Sequence, residues 1–213
     1  MIPLNVLPED QGLENLLKFF SEKDRIYIEG FHSPKKRVTA LGGRAILRYV
    51  TRKHGIEHFH LSYGKDGKPF FSDVSDCYFN ISHSNGYLIL AWSHKEIGID
   101  IERIRNELPK FPERMLSPTD LSFLKKHSGK EQISCFFELW TRKESFTKLQ
   151  GDSIFRNAKK FSVSNGEEFL PSMGLPTAYF HTCQWNDYMI SVCTLEENAS
   201  FSIEIVTLQE IIP

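Results

Sequence analysis

Apolar positions recur along this chain with two periods, and the switches between them predict its elements. Leu13, Leu16, Leu17 and Phe20 stand at i, i+3, i+4 and i+7, the spacing of one helix face. Ser33 followed by Pro34 marks the start of a second helix. Val38, Leu41, Ala45 and Tyr49 form its buried stripe, with Gly42-Gly43 as a weak point or a place of close approach. The period then drops to two. Segments 59–63, 78–82, 87–93 and 97–101 read as strands, separated by polar or glycine-containing breaks such as 64–69. Helical spacing returns at Ser117, where Asp120 completes a capping signature. It continues over 131–149, with Ile133, Phe136, Phe137 and Trp140 on one face and Gly151 as the stop. Strands follow near Phe161 and at 178–183, 188–194 and 201–206. Helices then strands, given twice, predict an α+β chain in two halves, 1–97 and 98–213.

Composition adds exclusions. Apolar residues make up 40% of the 213 and aromatics 13%, enough for a sizeable core and too much for general disorder. Lys plus Arg is 26 against 27 for Asp plus Glu, so no global field gathers nucleic acid or an anionic membrane. The longest clean apolar run, 87–92, falls far short of the ~20 residues of a membrane span. No basic segment precedes an apolar run at the N-terminus, so no signal peptide is expected and a cytoplasmic location is. Cys77, Cys135, Cys183 and Cys193 show no Cys-x-x-Cys spacing, which argues against a zinc knuckle or a dithiol redox site and for reduced thiols.

Three clusters carry candidate chemistry. In Gly98-Ile99-Asp100-Ile101-Glu102, strand alternation puts both carboxylates on one face. Two like charges so close need a cation or a shared proton, and magnesium suits such oxygen ligands. A solvated strand edge is the competing reading. In the long helix Trp140, Glu144 and Lys148 stand four apart and extend an apolar stripe. Charges there are either bound to something or form an ordinary surface ion pair. The run Phe79-Asn80-Ile81-Ser82-His83-Ser84 can offer donors to phosphate, or be a simple polar turn, and Lys68 sits in the glycine turn before it. His54, His58 and His60 straddle Gly55, which disfavours a shared metal-binding face.

Together, and in this order, the clusters resemble the 4′-phosphopantetheinyl transferases of the surfactin-synthetase-activating type. The family's Gly-hydrophobic-Asp-hydrophobic-Glu strand matches 98–102, and its Trp-Ser/Thr-x-Lys-Glu-Ser/Ala-x-x-Lys helix matches 140–148. The upstream Gly-Lys-Pro and Phe-Asn-hydrophobic-Ser-His-Ser elements match 67–69 and 79–84. The resemblance implies two similar halves in a single-chain, monomeric protein with the active site in the cleft between them. It implies transfer of phosphopantetheine from coenzyme A to a serine of an acyl or peptidyl carrier protein, with release of adenosine 3′,5′-bisphosphate. By the same resemblance Asp100, Glu102 and Glu144 hold magnesium, and Lys148 contacts the pyrophosphate. Lys68, Ser82 and His83 bind coenzyme phosphates, and Arg44, in a Gly-Arg-x-x-x-Arg segment at 43–48, faces the adenosine end. Glu144, Asp120 and a metal-held water remain alternatives for the general base. Two other classes compete: a catalytically silent carrier-binding module on the same fold, and another magnesium-dependent phosphotransferase. The full carboxylate set with Lys148 disfavours the first. The absence of a Gly-x-x-x-x-Gly-Lys-Ser/Thr loop argues against a nucleoside-triphosphatase.

Overall fold

The structure, a computed structural model, describes residues 1–4, 11–152, 158–164, 166, 168–169 and 177–211. Two compact units emerge. The first comprises Met1–Phe59, His83–Leu90 and Ser202–Pro213, and the second His60–Ser82 and Ala91–Phe201.

The first unit is mainly helical. It holds β1 (Ile2–Pro3), α1 (Gln11–Leu17), α2 (Glu22–Glu29), α3 (Pro34–Lys53) and α6 (Leu208–Ile211). The 13–20 spacing does not give one helix through Phe20. α1 stops at Leu17, and Ser21 begins α2 by accepting a hydrogen bond from Asp24 N at 3.2 Å. α3 starts at Pro34, as the Ser-Pro pair predicts, and buries Leu41, Ala45, Ile46 and Leu47. Segment 201–206, expected as a strand, forms no regular element. Its Val206 N–H donates to Met1 O at 3.0 Å, while Phe201, Ile203 and Ile205 are exposed.

Tyr78–Ser84 (β4) and Tyr87–Ser93 (β5) join β1 in a three-stranded sheet in the order β1-β5-β4. Asn85 and Gly86 connect β4 to β5 with φ of 37° and 95°, the left-handed pair that a tight hairpin requires.

The second unit is α+β. Residues 61–71 form the hairpin of β2 (Leu61–Tyr63) and β3 (Pro69–Phe71). β6 (Ile97–Arg103), β7 (Glu168–Phe169), β8 (Ala178–Trp185) and β9 (Tyr188–Thr194) make an antiparallel sheet ordered β6-β9-β8-β7. α4 (Pro118–Leu124) carries the predicted capping box of Ser117 and Asp120. α5 (Gly129–Gln150) lies along β6 and β9 and ends at Gly151, whose φ of 66° is left-handed. Phe136, Leu139, Phe146, Phe180, Met189 and Cys193 fill the space between helix and sheet. No described helix is long and apolar enough to cross a membrane.

Candidate active site

Strand β6 has two faces of different chemistry. Ile97, Ile99 and Ile101 share one; Gly98, Asp100 and Glu102 share the other. The register aligns Asp100 with Ser191 of β9, and Ser191 with Thr182 of β8. Residues directly opposite share a face, and α5 covers this one: Thr141 Oγ1 lies 2.7 Å from Ser191 Oγ. β6 is also the sheet's edge strand, and β4 side chains dock there. Asn80 Oδ1 accepts from Ile99 N at 2.9 Å, and Ser82 Oγ donates to Asp100 Oδ1 at 2.8 Å.

The last turns of α5 bring Glu144 and Lys148 to the same place. Lys148 Nζ lies 2.6 Å from Asp100 Oδ1 and 2.8 Å from Ser82 Oγ. Asp100 is 3% exposed, and its Oδ2 has no hydrogen-bond partner among the described residues. The half-buried Glu144 carboxyl is pushed up to about 7, first by burial and then by the Asp100 charge. Lys148 opposes that rise and Glu102 adds to it, so all four groups share one electrostatic neighbourhood. The long helix therefore does continue its apolar stripe of Phe137 and Trp140 into paired charges.

Among the described residues no three His, Cys, Asp or Glu side chains converge tightly enough to enclose an ion as they stand. The donor chemistry nevertheless fits a hard divalent cation. It is all carboxylate, and one buried oxygen lacks a partner.

A family model described as the 4′-phosphopantetheinyl transferase superfamily matches residues 96–193, the segment that carries β6, α5 and β9. A 4′-phosphopantetheinyl transferase of Bacillus subtilis is 29% identical over 217 residues, spanning 99% of this chain and 96% of that one. The transferase AcpT of Salmonella typhi is 33% identical over 166 residues, 75% of this chain and 77% of its own. The transferase HetI of a Nostoc species is 32% identical over 162 residues, 72% and 68% of the two chains. The chain belongs to the 4′-phosphopantetheinyl transferase superfamily. It is an enzyme of that class, one that transfers a phosphopantetheine group.

Lys68 Nζ spends its donors on Glu96 Oε2 at 3.0 Å, Leu149 O at 3.0 Å and Ile97 O at 3.3 Å. His83 is exposed and alternates to the opposite face of β4 from Ser82. Arg44, in the first unit, pairs Nε with Asp24 Oδ1 at 3.0 Å and lays its guanidinium 4.3 Å over the Tyr27 ring.

Asp120 belongs to a separate constellation. It is fully buried, with Oδ2 2.8 Å from Lys143 Nζ and Oδ1 accepting from Ser162 Oγ and Val163 N. Burial works against its charge, but Lys143, Ser117 and Ser162 outweigh that and hold the carboxyl below its ordinary range. Lys143 also donates to the carbonyls of Ala158 and Phe161. This network ties α4 and α5 to residues 158–163 and engages both Asp120 oxygens. Sequence reasoning passed over Lys143, although it stands in the same helix motif. A lysine between Arg142 and Glu144 reads as solvated until its buried partner is known.

Proposed function

We propose that this enzyme moves phosphopantetheine from coenzyme A to a serine hydroxyl of an apo acyl or peptidyl carrier protein, with magnesium and with release of adenosine 3′,5′-bisphosphate. A new bond joins the serine oxygen to the phosphorus bearing pantetheine. The bond from that phosphorus to the oxygen of the adenosine 5′-phosphate breaks. The serine proton passes to a carboxylate of the cluster acting as general base. The observation that carries the reading is the unpartnered buried oxygen of Asp100 beside Glu144 and Lys148.

Asp100, Glu102 and Glu144 are the residues that would hold magnesium, which when bound supplies positive charge to phosphoryl oxygens. Lys148 supports the same electrostatic task. Its ammonium, held at Asp100, would neutralise charge that grows on the phosphates. Ser82 orients Asp100 through its hydroxyl. Arg44 and His83 remain candidate contacts for the coenzyme's other phosphates, each after exchanging its present surroundings. The two-half organisation, with a boundary near residue 97, a cleft-sited reaction and a single-chain cytoplasmic enzyme, belongs to the same proposal and rests on the family resemblance. Mass spectrometry of several apo-carriers incubated with the enzyme, coenzyme A and magnesium tests it. Addition of one phosphopantetheine group to a carrier serine is the expected result. No addition to any carrier type would overturn it.

A further inference from the structure

Gly98 and Lys68 meet at one junction, where the start of β6 crosses the last turns of α5. Gly98 is not among the glycines with positive φ, so its missing side chain answers to space and not to backbone conformation. A Cβ there would fall 1.9 Å from Ser145 O and 2.5 Å from Leu149 N. Both are backbone atoms of a helix, which cannot swing aside as a side chain can. Ser145 and Leu149 directly follow Glu144 and Lys148. The bare backbone of β6 thus seats α5 at the two residues adjoining its two site charges.

Lys68 closes the same junction from outside. Its ammonium joins Leu149 O, at 3.0 Å, to Ile97 O, at 3.3 Å, the carbonyl just before Gly98. Leu149 O is one of the carbonyls that a helix leaves without an intrahelical partner at its C-terminus, where a cation is favoured. Glu96, at 3.0 Å, takes the third donor and balances the charge.

We propose that Gly98 and Lys68 are positioning residues that together clamp α5 on β6 and so hold Glu144 and Lys148 at Asp100. The proposal rests on reading Asp100, Glu144 and Lys148 as the reaction site. It gives Lys68 a role other than contact with the coenzyme. A displacement of about 1 Å in such a site is enough to cost about 100-fold in rate.

The test compares Gly98→Ala and Lys68→Met with the wild type and with Asp100→Asn, all as full chains. Three quantities are read: kcat at saturating substrates, manganese affinity by electron paramagnetic resonance, and the Kd of adenosine 3′,5′-bisphosphate by calorimetry without metal. The clamp predicts a kcat loss on the order of 100-fold. It also predicts manganese binding weakened by about tenfold, with adenosine bisphosphate affinity unchanged. If Gly98→Ala does not fold, Lys68→Met decides alone, because it removes donors without adding a clash. Wild-type kcat and manganese affinity in folded Lys68→Met would overturn the clamp. So would a loss confined to adenosine bisphosphate affinity, which would return Lys68 to the coenzyme's phosphates. Asp100→Asn separates the levels. Full transfer by that variant overturns the site and the clamp with it, whereas an inactive Asp100→Asn beside a wild-type-like Lys68→Met overturns the clamp alone.

Discussion

Lys148 Nζ sits 2.6 Å from Asp100 Oδ1, so a helix residue and a strand residue 48 positions apart form one charged pair. The pair leaves the second Asp100 oxygen without a partner and moderates the proton affinity of Glu144. One ammonium thus serves two carboxylates.

Lys148→Ala is therefore expected to lower transfer more than Lys148→Arg, which keeps the charge but changes the shape of the donor. Loss of the pair should also cost roughly 1–3 kcal/mol in urea unfolding, less than for a fully buried pair because the Lys148 side chain is 27% exposed. Wild-type kinetics in Lys148→Ala would reduce the contact to an ordinary ion pair.

Glu144 links the site to pH. Its folded value of about 7 lies above the ordinary 4.5, so between those values the folded state binds more protons than the unfolded one. Metal-free stability must then fall as pH rises through that window and level off above it. Glu144→Gln removes the charge. It should be more stable than the wild type at pH 8, by up to ~3 kcal/mol, and nearly equal to it at pH 4. Denaturant titrations at the two pH values check this. An equal gap at both would mean that Glu144 ionises as in water.

The Asp120–Lys143 pair makes a different demand, because both side chains have 0% exposure. Lys143→Met should cost ~3–5 kcal/mol, since it strands a buried carboxylate, while the double variant Asp120→Leu with Lys143→Met should cost less than the sum of its single changes. The depressed Asp120 carboxyl contributes stability that is present above its ordinary 3.8 and lost as pH falls through its folded value. Asp120→Asn, assayed where it remains folded, should retain transfer. Abolished turnover in a folded Asp120→Asn would instead place that carboxylate in the reaction.

The meeting of Asp100 and Lys148 in the candidate site was legible because its logic is local. Alternation along 98–102 and the fourfold spacing of Trp140, Glu144 and Lys148 fix which groups share a face before any partner is known. The start of α3 at Pro34, the box at Ser117 and the stop at Gly151 are likewise local chemistry, and all three are present. What escaped depends on distant neighbours. Gly98 explains itself only through Ser145 and Leu149, and Lys68 only through Leu149 O and Ile97 O. Asn80 read as part of a polar turn, yet its side chain caps the edge of β6 through Ile99 N. α2 was missed because its apolar pattern is short, and segment 201–206 alternates like a strand but forms no regular element.

Carrier recognition points to the segment after β6. Arg114, in a 3-10 turn at Pro112–Arg114, lies 4.5 Å over the ring of Phe111, which is 50% exposed. An aromatic with a cation beside it suits an acidic amphipathic helix, with charge steering the encounter. Arg114→Glu should raise the KM for the carrier, leave that for coenzyme A unchanged and blunt the salt dependence of carrier use. Steady-state kinetics with both substrates varied decide it. An equal change in the two KM values would instead indicate a distorted site.

The most direct measurement is the intact mass of an apo-carrier after incubation with coenzyme A and either wild-type enzyme or Asp100→Asn, in magnesium and in chelator. The account predicts one added phosphopantetheine group with the wild type in magnesium, and none in chelator or with Asp100→Asn. Undiminished addition by Asp100→Asn, or by the wild type in chelator, would contradict it.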